Sequence, residues 1–272
     1  MDAIPGIPQE GSKHGPIGWI KQFIPDGVDV EQRKADHRLH GSTNRVNAFT
    51  DKWPWLGPLV FILSAVYFLM QVVVGWVWHP PYSFISNTIS DLGNTGCHAS
   101  EYPNVCSPRW VLMDAAFVFL GLVMAVGSLF IYQEFTFRDK HDPERKAAFA
   151  GFTLMAIGGV GSVLVGLFPE NTIGFMHITG AAIAIGGGNL GILILGLVLT
   201  LPEGLRTFMR VFSILSIVAA ICFACDRHFG LGTGGIERIA AYPETVWLIV
   251  FGMHISRTHR AVGTSAQSAG SV

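Results

Sequence analysis

Six long apolar segments, separated by polar intervals, follow one another from residue 55 onward. About 20 mostly apolar residues span the hydrocarbon core of a bilayer as one α-helix. Because lipid offers no partners to free backbone amides, helices are the economical structure for such runs. The pattern predicts an all-α integral membrane protein, with six transmembrane helices in one bundle. We place these helices near residues 55–78, 110–133, 147–168, 173–201, 207–225 and 236–255.

The longest polar interval between two apolar segments runs from Tyr82 to Arg109 and forms the first predicted loop. It is followed by four shorter connections, so most of the chain's polar chemistry outside its tails is concentrated here. The side chains of interest in it are Asn87, Ser90, Asp91, Cys97, His98 and Cys106.

Lys and Arg residues are distributed unequally between the two sides of the predicted bundle. Of the 18 in the chain, only Arg109, Arg227 and Arg238 fall on the side that carries the first loop. The positive-inside rule assigns the richer side to the cytoplasm. We therefore expect a multi-pass protein of the bacterial plasma membrane with both termini cytoplasmic and the first loop outside.

The composition agrees with a membrane protein and narrows the choice of partner. Hydrophobic residues make up 50% of the chain and charged residues 14%, and the mean hydropathy is +0.44, whereas soluble domains have about a quarter charged residues. A net charge of -1 argues against nucleic acid, since phosphate binding requires a clustered basic face. Membrane lipids are the expected partners, with another membrane protein as a further candidate.

Two polar tails flank the membrane domain, which we set at residues 55–256. Residues 1–54 contain no early apolar core, so we expect no secretory signal there. Their short stripe of isoleucine and phenylalanine, between residues 17 and 24, is compatible with one interfacial helix, but their composition favours a disordered cytoplasmic segment. Residues 257–272 are predicted to be a disordered cytoplasmic tail.

The cysteines of the first loop predict a disulfide between Cys97 and Cys106, because that loop is expected in an oxidising compartment. The alternative is a metal site of Cys97, His98 and Cys106. We favour it less, since two of these ligands are adjacent and no fourth follows at a usual spacing. Cys222 and Cys225 lie at the C-terminal end of a predicted helix, where its dipole does not favour a thiolate. We interpret them as buried or lipid-facing thiols.

Ionisable residues near the helix ends predict one polar pocket on the outer side. Such residues are costly at this depth unless they face a cavity or a partner. Glu237 and Glu244 are seven residues apart and share a helix face, and Pro243 is expected to kink this helix and open space beside them. The candidate catalytic residues for one outer pocket are Asp91, Asp114, His177, Glu237 and Arg238.

Each of these residues also has a structural interpretation. Arg238 could pair with Glu237, Asp114 or Asp91, and His177 could join two helices by a hydrogen bond. For the set as a whole, its position on one face favours a binding site. A zinc ion held by Asp91, Asp114 and His177 has no supporting H-x-x-x-H or H-E-x-x-H spacing. The sequence therefore predicts no metal and names no cofactor.

Glycine is frequent inside the predicted helices. Gly187 and Gly191 form a G-x-x-x-G pair, which predicts close helix packing, with Asn189 as an interhelical hydrogen-bonding group. Residues Gly230–Gly235 match G-x-G-x-x-G literally. They follow a membrane helix rather than a strand, so we interpret them as a flexible loop.

The motif Ser86–Gly93, together with Val105–Pro108 before the second helix, resembles an uncharacterised bacterial and archaeal six-span membrane family, the domain of unknown function nine-nine-eight. The Gly166–Glu170 turn leading to His177, and Gly235–Arg238 at the start of the last helix, are also similar to it. The resemblance covers residues 55–256. Since this family has no established activity, no catalytic residue can be carried over from it.

The Ile-Ser-Asp-Leu-Gly sequence of the first loop and the helix containing His177 are more distantly similar to the Frag1/DRAM/Sfk1 membrane proteins. Those proteins are linked to lipid remodelling, lipid asymmetry and autophagy. This resemblance implies lipids as ligands.

Two hypotheses of function follow. In the first, the chain is a lipid- or envelope-related binding protein or enzyme, with His177 or a carboxylate as general base and Arg238 holding an anionic headgroup. In the second, it is a non-enzymatic membrane subunit, transporter or sensor in which these residues form a structural network. Gln71, Asn189 and Ser216 are too few and too weakly polar to predict a proton relay, and no internal repeat indicates a transporter.

Overall fold

The computed structural model describes residues 52–97, 105–133, 135 and 142–269, with side chains through His259. Within these ranges the regular structure is entirely helical. The α-helices are α1 Leu56–Ile62, α2 Ala65–Trp76, α3 Trp110–Tyr132, α4 Pro143–Leu167, α5 Gly174–Val198, α6 Glu203–Ala224 and α7 Gly232–Ala269, and a 3-10 helix spans Ser90–Gly93.

In the described part of the chain, six helical spans are long and apolar enough to cross a membrane, as the sequence predicts. Large apolar side chains such as Leu129 and Val160 point outward on them and are more than half exposed, as expected for surfaces that face lipid. The chain is a multi-pass helical membrane protein. The spans are Leu56–Trp76, Trp110–Tyr132, Pro143–Leu167, Gly174–Val198, Glu203–Ala224 and Gly232–His259.

The first span consists of two helices, α1 and α2, rather than one. At their junction the amides of Ser64 and Tyr67 bond to carbonyls three residues back, at 3.1 and 3.0 Å. The buried Ser64 hydroxyl also donates to the Phe61 carbonyl at 2.6 Å. The junction is therefore a tighter 3-10 turn that keeps its backbone hydrogen-bonded inside the bundle.

The later helix boundaries differ from the predicted ones. α6 begins at Glu203 because Pro202 precedes it and the Glu203 carboxylate pairs with Arg206 and Arg210 in its first turns. α7 begins at Gly232 and continues to Ala269, through most of the predicted disordered tail. Residues 1–51 of the predicted N-terminal segment, including the stripe that is compatible with an interfacial helix, lie outside the described residues.

The interpretation of Gly230–Gly235 as a flexible loop is wrong, because its second half is the first turn of α7. The amides of Gly234 and Gly235 donate to the Ile85 carbonyl at 2.9 and 3.2 Å. A Cβ at Gly234 would lie 2.7 Å from Nη1 of Arg238. Glycine here lets the first loop lie directly on the start of α7.

Glycines bring α3, α4 and α5 into close contact, as predicted. A Cβ on Gly161 of α4 would lie 2.5 Å from the Ala184 amide nitrogen and 2.6 Å from the Gly180 carbonyl, both on α5. On the other face of α4, a Cβ on Gly159 would lie 2.9 Å from the Ala125 amide nitrogen of α3. Small residues therefore allow backbone-to-backbone packing on both faces of α4.

The prediction of an interhelical hydrogen bond from Asn189 is wrong. Its Nδ2 donates to the Ile185 carbonyl of its own helix at 2.9 Å, and its buried Oδ1 has no partner in the described part of the chain. A carbonyl one turn back is the nearest acceptor for a short amide side chain on a helix.

Candidate functional site

The described part of the loop between α2 and α3, residues 77–97 and 105–109, lies across one end of the bundle, which we call the loop end. Its apolar side chains Ile89 and Leu92 are fully buried. The Ser107 hydroxyl donates to the Leu92 carbonyl at 2.6 Å. This loop is consequently a packed part of the bundle, built around the 3-10 helix Ser90–Gly93.

The predicted disulfide between Cys97 and Cys106 is present, with an S–S distance of 2.05 Å. Both sulfurs are used in it, so they do not serve as thiolate ligands of a metal. His98, the third residue of the alternative metal site, lies outside the described residues. Cys222 and Cys225 are free, the first half-buried and the second exposed.

Arg238 of α7 is only 7% exposed, and its guanidinium binds the loop rather than a carboxylate. Nη1 donates to the carbonyls of Phe84, Asn87 and Gly234 at 2.9, 2.8 and 2.8 Å. Within the described ranges no ion pair joins it to an acidic residue. The structural interpretation in which Arg238 pairs with Glu237, Asp114 or Asp91 is therefore not observed among the described residues.

Two tyrosines complete the surroundings of Arg238. Its Nη2 donates to the Tyr82 hydroxyl, and its Nε donates to the Tyr242 hydroxyl at 3.1 Å. Burial raises the pKa of Tyr82 in spite of the nearby guanidinium charge. The neutral phenol can therefore donate in turn to the Thr88 carbonyl, 2.5 Å away. All three guanidinium nitrogens are thus engaged, and Nη1 and Nη2 hold the loop on α7.

Glu237, the preceding residue on α7, caps the 3-10 helix. Its Oε2 accepts from the Ile89 amide. Its Oε1 accepts from the Ser90 amide at 3.4 Å and from the Ser90 hydroxyl at 3.0 Å. These amides belong to the start of the 3-10 helix and would otherwise lack helical partners. A carboxyl from a distant helix thereby fixes the position of Ser90.

His177 of α5 lies on the other side of the same serine. Its Nε2 is 2.9 Å from Ser90 Oγ, and its Nδ1 is 3.0 Å from the Phe168 carbonyl oxygen. Since a carbonyl only accepts, Nδ1 carries a hydrogen. Glu237, Ser90 and His177 form a continuous hydrogen-bonded row, which we call the serine row, and it joins α7, the loop and α5.

Asp91 turns back to its own loop instead of joining the serine row. Its Oδ2 accepts from the Thr88 amide at 2.9 Å and from Asn87 Nδ2 at 3.4 Å, while its own amide donates to the Thr88 hydroxyl at 2.9 Å. These reciprocal bonds resemble a capping box. Asp91 consequently shapes the approach to Ser90.

The turn between α4 and α5 is attached to the same loop. Asn171 accepts from the Thr95 amide at 3.1 Å, and Asn94 Nδ2 donates to Glu170 Oε1 at 3.4 Å. Burial raises the pKa of Glu170 to about 9, and the nearby Asp91 carboxylate adds to the shift. Glu170 is therefore mainly protonated at neutral pH.

Asp114 of α3 stands apart from the serine row. It is buried, and its Oδ1 lies against the position that a Cβ of Gly93 would occupy. Its Oδ2 has no hydrogen-bond partner within the described residues. Gly93 thus leaves room for a carboxyl beneath the 3-10 helix.

A cavity of about 60 Å³ lies between the helices directly beneath the serine row. Of the five predicted site residues, Glu237 alone lines it, together with Ser90 from the loop and Glu244 from α7. The prediction that Glu237 and Glu244 share a face is confirmed. The other lining residues are Tyr67, Ile89, Phe117, Leu120, Met124, Ser162, Val165, Ala181, Ala184, Ile185, Ala241 and Thr245.

Ser90 is the principal site residue that the sequence analysis did not select. It was one of several polar residues in the first loop, and nothing in its local pattern distinguishes it. Its role depends on partners 87 and 147 positions away in the chain.

A metal ion is not supported by the described residues, since among them no three His, Cys, Asp or Glu side chains lie close enough together to hold one. This applies to Asp91, Asp114 and His177, which the geometry assigns to three different surroundings.

Comparison with known proteins gives one match. A family model described as "Protein of unknown function (DUF998)" matches residues 62–254. Neither the curated proteins nor the solved structures contain a significant match to the chain.

Proposed function

We propose that this chain, which belongs to the family of unknown function DUF998, binds one end of an amphiphilic membrane lipid in the cavity beneath the serine row. The cavity itself carries the proposal. Its walls are largely apolar, and its polar oxygens come from a few residues, among them Ser90, Glu237 and Glu244. Apolar walls with a few convergent polar groups are typical of small-molecule sites.

The chemistry of the lining favours a ligand that donates hydrogen bonds. Among the described residues, two carboxyl groups and no Lys or Arg line the cavity, so an ammonium or hydroxyl group fits better than a phosphate. Arg238, the cation expected to hold an anionic headgroup, has its nitrogens engaged by the loop and two tyrosines. A volume of about 60 Å³ admits a small group, while the rest of a lipid would remain in the bilayer.

The contact between Ser90 and His177 suggests an acyl-transfer enzyme as the alternative. Their 2.9 Å contact is suitable for a nucleophile and its base. Acyl transfer also requires amides directed at the developing oxyanion. The amides of Ile89 and Ser90 instead donate to Glu237. This favours binding over acyl transfer.

The ligand proposal is tested by mass spectrometry of lipids retained by the detergent-purified protein. We expect the wild type to retain an amine- or hydroxyl-bearing lipid in a stoichiometric amount. Glu237→Gln should reduce retention about tenfold, since a hydrogen bond to a charged group contributes about 1.5–3 kcal/mol.

Asp226→Asn is the matched control, because Asp226 is also an acidic residue at the loop end but is almost fully exposed. It should retain lipid as the wild type does. Equal lipid content in all three proteins, or none in any of them, would contradict the proposal.

We further propose that the loop end faces the outside of a bacterial plasma membrane and that both termini are cytoplasmic. The distribution of Lys and Arg supports this, and a Cys97–Cys106 disulfide suits an oxidising compartment. Single cysteines in a cysteine-free variant, one replacing Phe229 at the loop end and one replacing Thr207 near the start of α6, should label in intact cells only at the first position. The reverse pattern would overturn this orientation.

A further inference from the structure

Glu244, which also lines the cavity, is a carboxylic acid deep inside the bundle. About 18 Å of helix separates it from the start of α7 at Gly232, which is more than half of a hydrocarbon core about 30 Å thick. It is only 5% exposed. An ionisable side chain at that depth is costly and generally marks a functional site.

We infer that Glu244 is a proton-binding group of the membrane interior, and that it exchanges its proton with the loop end through Glu237, Ser90 and His177. The inference rests on the geometry of the cavity and the serine row, and it requires water rather than a lipid in the cavity.

Glu244 has no structural partner that would account for it. Among the residues that the structure describes, its buried Oε1 has no hydrogen-bond partner, and no ion pair includes it. The backbone of Gly188 on α5 lies directly against its carboxyl group. An unpaired carboxylate in such surroundings is strongly disfavoured, so the neutral, protonated acid is the form that fits.

Few other titratable groups face Glu244. Among the residues that line its cavity, α2 contributes Tyr67 and α7 contributes Glu237. α3 and α5 contribute only apolar side chains to the lining, and α4 adds one hydroxyl, Ser162. The charged residues of α6, which packs against α5 and α7, lie near its start at Glu203. Glu237 is therefore the one other carboxyl group among the described residues that line the cavity with Glu244.

The cavity provides a route between these two acids. About 10 Å of helix separates Glu237 from Glu244, and both line the same space of about 60 Å³. A space of this size can hold a short file of water molecules when a few polar groups bind them, and oxygens of Ser90, Glu237 and Glu244 interrupt the apolar walls here. Protons can move along such a file by exchange of hydrogen bonds.

Besides the hydroxyl hydrogen of Ser90, the serine row can hold one further proton, either on Glu237 or on His177. Ser90 has a single hydroxyl hydrogen between Glu237 Oε1 at 3.0 Å and His177 Nε2 at 2.9 Å. With Nδ1–H directed at the Phe168 carbonyl, every contact is a hydrogen bond only if either Glu237 or Nε2 carries a further proton.

The two arrangements interconvert when two protons move in the same direction along the serine row. The Glu237 O–H bond breaks as its proton binds Ser90 Oγ, and the original Ser90 proton passes to Nε2 of His177. Glu237 becomes a carboxylate and His177 an imidazolium, while Ser90 is unchanged. Asp91, which follows Ser90, and Glu170, two residues after Phe168, are the next titratable groups at the loop end.

Infrared difference spectroscopy of the detergent-solubilised protein tests this inference, since it reports the carbonyl band of protonated carboxyl groups. We expect one such band to be absent in Glu244→Gln and to lose intensity in the wild type as pH rises. After a light-triggered release of protons, this band should recover at least about tenfold more slowly in Ser90→Ala than in the wild type, which corresponds to about 1.4 kcal/mol in the barrier.

Ser213→Ala is the matched control, because Ser213 is a buried serine of α6 outside the cavity lining, and it should recover at the wild-type rate. Ser90→Thr, which keeps the hydroxyl, should restore fast recovery. If Ser90→Ala does not fold, Glu237→Gln is used in the same experiment, because it interrupts the same path.

Two results would overturn the inference. One is a spectrum without a pH-dependent band that depends on Glu244. The other is recovery of this band at the wild-type rate in the variant that interrupts the serine row, Ser90→Ala or Glu237→Gln. Neither result depends on retained lipid, so the inference and the proposed ligand site can fail independently.

Discussion

Arg238 shows how a single buried residue can determine the structure of a loop. Its charge is not neutralised by a carboxylate, but its donors meet three backbone carbonyls and two phenols. The guanidinium also lies over the rings of Tyr82 and Phe84, at 5.5 and 5.0 Å from their centroids. Such a planar group with five donors cannot be replaced equivalently by an ammonium.

Replacement of Arg238 should therefore destabilise the protein more than its charge alone suggests. Arg238→Gln leaves buried carbonyls of the loop without donors, at about 1–3 kcal/mol for each such group, and we expect a total loss of about 3 kcal/mol. Arg238→Lys should lower the free energy of unfolding by less than Arg238→Gln does. Thermal unfolding in detergent measures the effect. Arg227→Gln, at an exposed arginine, should unfold like the wild type, and a similar unfolding temperature for Arg238→Gln would contradict the assigned role.

Glu170 gives the loop end a pH-dependent stability. Burial raises its pKa from 4.5 to about 9 in the folded protein, so the folded state retains a proton that the unfolded state loses. Its contribution is complete below about pH 4.5 and is lost as the pH rises through about 9.

Glu170→Gln should flatten this dependence, since the amide is neutral at every pH and still accepts from Asn94. Unfolding temperatures measured from pH 5 to pH 9 should fall less for the variant than for the wild type. Parallel curves for the two proteins would show that another group is responsible.

The membrane-spanning helices could be predicted from the sequence, but only some of the contacts between these helices could. Hydrophobic runs are local in sequence, so the number of spans and the use of glycine for packing follow from the pattern. The serine row and the Arg238 contacts are not local. The contacts that join the loop to α5 and α7 link residues 87 to 156 positions apart, and several of the acceptors are backbone carbonyls, which every residue carries.

The glycine contact between α4 and α5 makes a specific prediction about helix packing. Gly161→Ala places a methyl group 2.5 Å from a backbone nitrogen of α5. The helices must then separate, which costs about 1–3 kcal/mol.

Gly186→Ala in α5 is the control, because no atom lies within 4 Å of its added Cβ, and alanine stabilises a helix interior relative to glycine. Unfolding of the two variants in the same detergent should therefore shift in opposite directions. A stabilised Gly161→Ala would indicate that α4 and α5 pack less closely.

At the scale of the whole molecule, α7 and the loop end form one connected unit. Glu237 caps the 3-10 helix, Arg238 holds the preceding backbone, and Glu244 continues the same face into the membrane. The loop is further joined to the α4–α5 turn through Thr95 and Asn171. The serine row therefore depends on contacts contributed by distant parts of the chain.

The Cys97–Cys106 disulfide closes the outer part of this unit, and its removal should test how strongly the loop depends on it. In the chain-entropy model a loop this short contributes about 2–3 kcal/mol. Because Ile89 and Leu92 remain buried, we expect Cys97→Ser with Cys106→Ser to lower the unfolding temperature while the loop stays docked. Hydrogen exchange should then increase in residues 94–97 and much less at Ser90–Gly93. Cys222→Ser with Cys225→Ser removes only free thiols and should leave both measurements unchanged, whereas fast exchange throughout the 3-10 helix would mean that the disulfide, rather than α7, holds the serine row together.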